Sequence, residues 1–142
     1  MNCLVIQTNL TGERHLWLTS VTGRILKQQH ARHEHHAAHL LLKNIARLIG
    51  PKKVGQIVVI RGPGPFTAIR AALVTANTLG WIWNIPVSGV VRHSQLTAKE
   101  LAFPGPRIGK KFGRPIRPWY GRGPNITIAK PRQKSMQFSR RR

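Results

Sequence analysis

The sequence predicts an α/β domain, a mixed five-stranded sheet with helices packed on its faces, followed by an extended basic tail. Three observations carry that expectation. Short apolar runs with period-two alternation open the chain, helix-like and strand-like runs alternate through its centre, and glycine, proline and basic residues replace any periodicity after residue 101.

The segments "CLVIQT" (3–8), "RHLWLTS" (14–20) and "GRILKQQ" (23–29) read as strands, with "NLTGE" and "VTG" as the turns between them. In the second, His15, Trp17 and Thr19 alternate with Leu16, Leu18 and Ser20. Three strands joined by short turns make an antiparallel meander. "HEHHAAHLLLKNIARLIG" (33–50) then sets Ala38, Leu41, Leu42, Ile45, Leu48 and Ile49 at helical spacing, stopped by Gly50 and Pro51. Leu40 lies outside this stripe, so the helix is expected to be buried on more than one side. "GQIVVIR" (55–61) is continuously apolar, as a strand covered on both faces should be. A second helix from about Pro65 to Trp83, a fifth strand "IPVSGVV" (85–91) and a short third helix "HSQLTAKEL" (93–101) complete the domain, residues 1–101. Residues 102–142 form the tail, and no internal repeat is visible.

The chain has 142 residues, enough for one domain of ordinary size with a modest core. Its charge is the extreme feature: 24 Lys and Arg stand against Glu13, Glu34 and Glu100, a net charge of +21, and aspartate is absent. The excess is uneven. Residues 1–100 carry 12 basic and 3 acidic residues, or +9, whereas residues 101–142 carry 12 and none, or +12. Such a field attracts polyanions, because each neutralised phosphate releases condensed counterions. A solvated tail that repels itself is the other reading. Cys3 is the single cysteine, so no intrachain disulfide forms, a reducing compartment fits, and a buried apolar role suits it better than a nucleophilic one. The opening residues lack the basic and apolar regions of a secretory signal. Residues 71–91 lack charge over a membrane-spanning length, but Asn77, Asn84 and Pro86 interrupt them, so a cytoplasmic chain without membrane association is expected.

Composition also restricts chemistry. A metal-dependent ATPase or nuclease needs clustered carboxylates, since magnesium demands oxygen ligands in tight octahedral geometry. Three scattered glutamates do not supply them, so no catalytic residue, cofactor or metal is expected. The run "HARHEHHAAH" places His35 and His39, and His36 and His39, on one helix face. Its basic surroundings and the absence of the H-E-x-x-H spacing favour a polar, titratable helix edge over a metal site.

"RGPGPFTAIRAALVTANTLGW" (61–81) is the most distinctive stretch. A phosphate-binding P-loop requires Lys and Ser or Thr after its second glycine, whereas Pro65 follows Gly64. The dinucleotide pattern fails as well, with Thr67 at its third glycine. Gly62, Pro63, Gly64 and Pro65 therefore read as a tight turn into a helix whose Ala68, Ala71, Ala72, Thr75, Ala76 and Gly80 admit a close neighbour. That neighbour is either the domain's own sheet or a partner. In the tail, Lys110, Lys111, Arg114, Arg117 and Arg122 surround Trp119 and Tyr120, a composition suited to holding phosphates while bases stack. The same Trp119 equally suits an anchor that folds the tail back. Trp17, Trp81 and Trp83 are expected to pack within the domain.

"VVIRGPGPFTAIRAALVTANTLGWIWNIPVSGV" resembles the TsaB (YeaZ) family, with its apolar strand, G-P-G-S-F-T-G-x-R turn, small-residue helix and G-I-P-V-x-G-V strand. Gly62, Pro63, Gly64, Phe66, Thr67, Arg70, Ala76, Ile85, Pro86, Val87 and Gly89 match. "LVIQT" is similar to the family's first strand, and "RPWYGRGPNIT" more weakly to its closing segment. The resemblance covers roughly residues 1–101 and implies one lobe of an actin-like, RNase H-like (ASKHA) fold. It implies a non-catalytic scaffold for a TsaD-type subunit, which with TsaE places threonylcarbamoyl on ANN-decoding tRNAs. By the same resemblance Leu40, Leu41, Ile45, Leu48, Phe66, Thr67, Ile69, Arg70, Leu73 and Asn77 form the partner interface, and an exposed helix of this kind also suits a homodimer. Gln7 stands where the family has aspartate, Pro65 where it has serine and Ala68 where it has glycine, and residues after 101 do not match the second lobe. The competing expectation is an RNA-binding or ribosome-associated protein on the same half-fold, with tRNA or rRNA held by the tail.

Overall fold

The computed structural model describes residues 1–32, 38–97, 100 and 111–121. Its elements run β1 (Asn2–Gln7), β2 (Glu13–Ser20), β3 (Ile25–Arg32), α1 (Ala38–Ile49), β4 (Val54–Gly62), α2 (Phe66–Trp83) and β5 (Val87–Val91). The five strands form one mixed sheet in the order β3-β2-β1-β4-β5. β1, β2 and β3 make the expected antiparallel meander, and β4 and β5 extend it in parallel with β1.

Period-two alternation sorts the strand residues into two cores. Leu4 and Ile6 of β1, Leu16 and Leu18 of β2, and Ile57 and Val59 of β4 face one side. There they meet Leu41, Ile45 and Leu48 of α1 and Ile69, Ala72, Leu73 and Ala76 of α2. Val5, Trp17, Val58 and Ile60 face the other side, with Leu96. The alternation in β2 thus marks two buried faces rather than an inside and an outside. Both described helices lie in the first core, so they share one face of the sheet instead of covering both.

The helices depart from expectation in ways that packing explains. Leu40 is exposed, so α1 is buried along one stripe, and residues 33–37, expected in its first turn, lie outside the described residues. Pro65 precedes α2 as its N-cap, and the carbonyl of Pro65 accepts the Ile69 amide at 3.0 Å. The helix ends at Asn84, whose left-handed backbone (φ 52°) turns the chain toward β5. The expected third helix starts later than expected: residues 93–96 are not helical, whereas Glu100 is. Ser94 and Leu96 are held instead by tertiary bonds to Gln7, and a Thr97–Glu100 capping box marks the helix start. None of the described helices is long and apolar enough to cross a membrane.

The described section of the tail, residues 111–121, lies against the domain as a strap. Phe112, Ile116 and Tyr120 join the first core, and Trp119 donates its amide to the Arg61 carbonyl at 2.8 Å. That carbonyl is free because the β4-β5 ladder shifts register between Ile60 and Gly62. Asn77 ties the strap to α2 like a piece of sheet: its Nδ2 donates to the Ile116 carbonyl at 3.0 Å and its Oδ1 accepts the Ile116 amide at 2.9 Å. Removing both partners leaves two backbone groups half-buried. Asn77→Ala is expected to cost about 2 kcal/mol in urea unfolding and to speed hydrogen exchange at Ile116.

Candidate functional site

In sheets with parallel strands, ligand crevices open at the carboxyl ends of the strands. Here those ends are β1 at Gln7, β4 at Gly62 and β5 at Val91. The crevice is filled by amides. Gln7 is fully buried, and its Nε2 donates to Asn9 Oδ1 at 3.1 Å and to the Ser94 carbonyl at 2.9 Å. Its Oε1 accepts the Leu96 amide at 3.1 Å. Because a carbonyl can only accept and a backbone N–H only donate, this environment fixes the orientation of the amide. Asn9 Nδ2 in turn donates to the carbonyls of Pro63 at 2.9 Å and Arg92 at 2.5 Å, and Thr8 donates to the Ala68 carbonyl at 2.9 Å.

The loop after β4 is built for close approach by its own chain. A side chain on Gly62 (φ +136°) would collide with the Trp119 carbonyl, and one on Gly64 (φ +156°) with the Asn9 carbonyl. Pro63 and Pro65 set the turn between these contacts. Gly80 and Gly89 admit neighbours in the same way, Gly80 against Val87 and Phe112, and Gly89 against Ile116 and Arg61. Ala72, Ala76 and Gly80 are buried inside the domain, so this part of the small-residue face serves self-packing.

The expected partner-contact set divides. Leu41, Ile45, Leu48, Ile69 and Leu73 face the domain's own core, a correction that follows from the sheet's need for a cover. Leu40, Thr67 and Arg70 are exposed, Phe66 is exposed but stacks edge-on with Tyr120 at 4.3 Å, and Asn77 is committed to the strap. The outer face of α2 instead presents Val74, Trp81 and Ile82, which are 66%, 70% and 60% exposed. Trp17 packs in the domain as expected, whereas Trp81 and Trp83 do not. Small residues bring the other face of α2 down onto the sheet, and the bulky ones point away.

Among the tail's expected RNA contacts, Lys110 and Arg122 lie outside the described residues, and Lys111, Arg114 and Arg117 are exposed. Trp119 keeps an exposed ring beside His93, with centroids 6.2 Å apart, although its backbone is bound to the loop. Arg61, Gly89, Arg114, Pro115, Ile116 and Arg117 line an open cleft of about 540 Å³. None of its three guanidiniums pairs with a carboxylate among the described residues. Sequence reasoning missed Arg61, which β4 supplies and the strap brings near the others. His33, Glu34, His35 and His36 lie outside the described residues, and His39 is exposed.

Glu100 pairs with Arg92, whose carbonyl accepts from Asn9 in the filled crevice. Its backbone and side-chain hydrogen bonds from Thr97, and the Arg92 charge beside it, hold it below the usual carboxylate range. It is therefore an ionised capping group committed to its neighbours.

A family model described as TsaD: tRNA N6-adenosine threonylcarbamoyltransferase matches residues 20–107. The tRNA threonylcarbamoyladenosine biosynthesis protein TsaB of Bacillus subtilis (strain 168) is 35% identical over 80 residues, 56% of this chain and 34% of that protein. The chain belongs to the family that the TsaD model describes. Among solved structures, YeaZ from Pseudomonas aeruginosa matches with a TM-score of 0.56 and 26% identity, over 63% of this chain and 43% of that one. A second structure, of a protein with similarity to peptidase YeaZ from the same organism, matches with the same figures. The chain thus spans about a third of the curated TsaB and less than half of the YeaZ structures. The lobe it shares with them is the actin-like half-fold, and its crevice is the one filled by Gln7.

Two outcomes follow for this family member. Gln7→Asp sets a carboxylate against two acceptor oxygens, Asn9 Oδ1 and the Ser94 carbonyl, and is expected to destabilise the fold by at least about 3 kcal/mol in urea titration. Burial pushes the Cys3 thiol up to about 11, against a smaller lowering by its hydrogen bond with Thr19. Iodoacetamide at pH 8 should therefore alkylate Cys3 roughly 100-fold more slowly in the folded chain than in the urea-unfolded one.

Proposed function

We propose that this chain is a non-catalytic scaffold in tRNA threonylcarbamoyladenosine modification, acting in the cytoplasm beside a TsaD-type subunit and TsaE on ANN-decoding tRNA. The observation that carries this reading is the outer face of α2, where Val74, Trp81 and Ile82 form an apolar surface on a lobe of this family. Leu40 and Leu42 add exposed apolar area on α1, the neighbouring helix of the same layer. A non-catalytic role is supported by the crevice, whose amides satisfy one another, and by Glu13 and Glu100, each already bonded to neighbours. The lobe is residues 1–101, and residues 102–142 are a tail tied to it by the strap.

Co-expression with a tagged TsaD-type subunit tests the pairing. Val74→Glu with Trp81→Glu should reduce recovery at least tenfold while leaving the thermal midpoint close to that of the unaltered chain, since both side chains are exposed. Equal recovery from that variant would remove α2 from the interface. Sedimentation of the chain alone distinguishes a homodimer formed through the same face.

The arginine cleft favours a second element of function, contact with tRNA or rRNA. Arg61, Arg114 and Arg117 offer three phosphate-binding guanidiniums at one opening, beside the exposed ring of Trp119. Replacing Arg114 and Arg117 by alanine is expected to flatten the slope of log affinity against log salt for single-stranded RNA by about 1.4. An unchanged slope would assign RNA attraction to other basic residues.

A further inference from the structure

The β2-β3 hairpin carries a second cluster. Glu13 and His15 stand two residues apart on β2 and so on one face, and His30 lies directly opposite His15 in the antiparallel register. Their donor atoms converge: Glu13 Oε2 is 3.1 Å from His15 Nε2 and 3.8 Å from His30 Nε2. All three donors lie within 4.8 Å of one another. A tetrahedral ion with bonds of about 2.0–2.1 Å holds its ligand atoms about 3.3–3.4 Å apart. The separations of 3.1 and 3.8 Å bracket that edge length.

The rings are already oriented. His15 is buried and stacks on Trp17 at 5.5 Å and on His30 at 4.3 Å, with planes 11° and 10° apart. Glu13 and His30 are open to solvent, which gives an ion a path in and leaves room for water at a fourth position. The Glu13 carboxylate is held ionised, chiefly by its hydrogen bond with His15, with smaller help from the charges of His30, His15 and Arg32.

We propose that Glu13, His15 and His30 form a binding site for a zinc-class divalent cation, which clips the edge strand β3 to β2. Two imidazoles and one carboxylate suit zinc or cobalt, whereas magnesium and calcium prefer all-oxygen sites. The site is distinct from the filled crevice, and it shares His30 with the histidine run of residues 30–39. Its effect is structural: among the described residues β3 has a neighbour on one side only, and an ion that binds the folded hairpin stabilises that pairing by mass action.

The test is a titration of the chelator-treated full chain with cobalt, read by visible absorption, followed by displacement with zinc. The expected result is one equivalent bound with tetrahedral intensity. Glu13→Gln and His30→Ala should each weaken binding at least about tenfold, the loss that even outer-shell changes produce at metal sites. Both positions are solvent-exposed, so the variants keep the fold. A chain with His33, His35, His36 and His39 all replaced by alanine should bind as the unaltered chain does, and zinc should raise its thermal midpoint but not that of His30→Ala. Undiminished affinity in Glu13→Gln and His30→Ala, loss of binding in the four-histidine variant, or no bound cobalt in the unaltered chain would each overturn the proposal.

Discussion

The Trp119 carbonyl lies where a side chain on Gly62 would stand, and that single approach organises much of the molecule. With Trp119 held there, its amide reaches Arg61 and Tyr120 meets Phe66 at the start of α2. Further along, Ile116 crosses Gly89 and bonds with Asn77, and Phe112 reaches Gly80. The approaches at Gly62, Gly89 and Gly80 each need a missing side chain on the lobe and a backbone or apolar group on the strap. The glycines are thus one half of an interface within the chain, and the tail supplies the other half.

Charge and packing act at different scales in this chain. The net charge of +21 opposes compaction, yet the described cores contain almost no ionised group. Most buried polar residues of the lobe are neutral amides and hydroxyls, among them Gln7, Asn9, Thr8 and Thr19, with Arg14 and His15 buried beside them on β2. An amide at the end of β1 can both donate and accept, which lets it bind the carbonyl of Ser94 and the amide of Leu96 together. A carboxylate could only accept. Glutamine at the end of β1 therefore holds the chain's own backbone.

Most of the sheet was legible because strand signals are local. Alternation in Leu4–Ile6 and Leu16–Leu18, the continuous apolar run at Ile57–Ile60 and the stop at Gly50 each depend on residues within one element. The helix ends and the strap depended on distant partners. His93 to Leu96 read as helix, yet the carbonyl of Ser94 and the amide of Leu96 are taken by Gln7, 87 and 89 residues away. Asn77 and Ile116 are 39 residues apart, so nothing near either one announces the bond. α2 is apolar on nearly every side, which hid which face was inward; small residues marked the buried side and the tryptophans the exposed one. The glutamate and two histidines of the hairpin meet only once register is known, and Arg61 joins the cleft only once the strap is in position.

By composition residues 102–142 resemble a dispensable appendage, and a protein chemist seeking a tractable fragment would cut after residue 101. The strap argues against that cut. A fragment ending there loses the side chains of Phe112, Ile116 and Tyr120 from its main core and exposes Gly80, Gly89 and the carbonyl of Arg61 to water. Such a fragment would carry a new sticky seam along β5 and α2, and its tendency to associate would report the missing strap rather than a native partner.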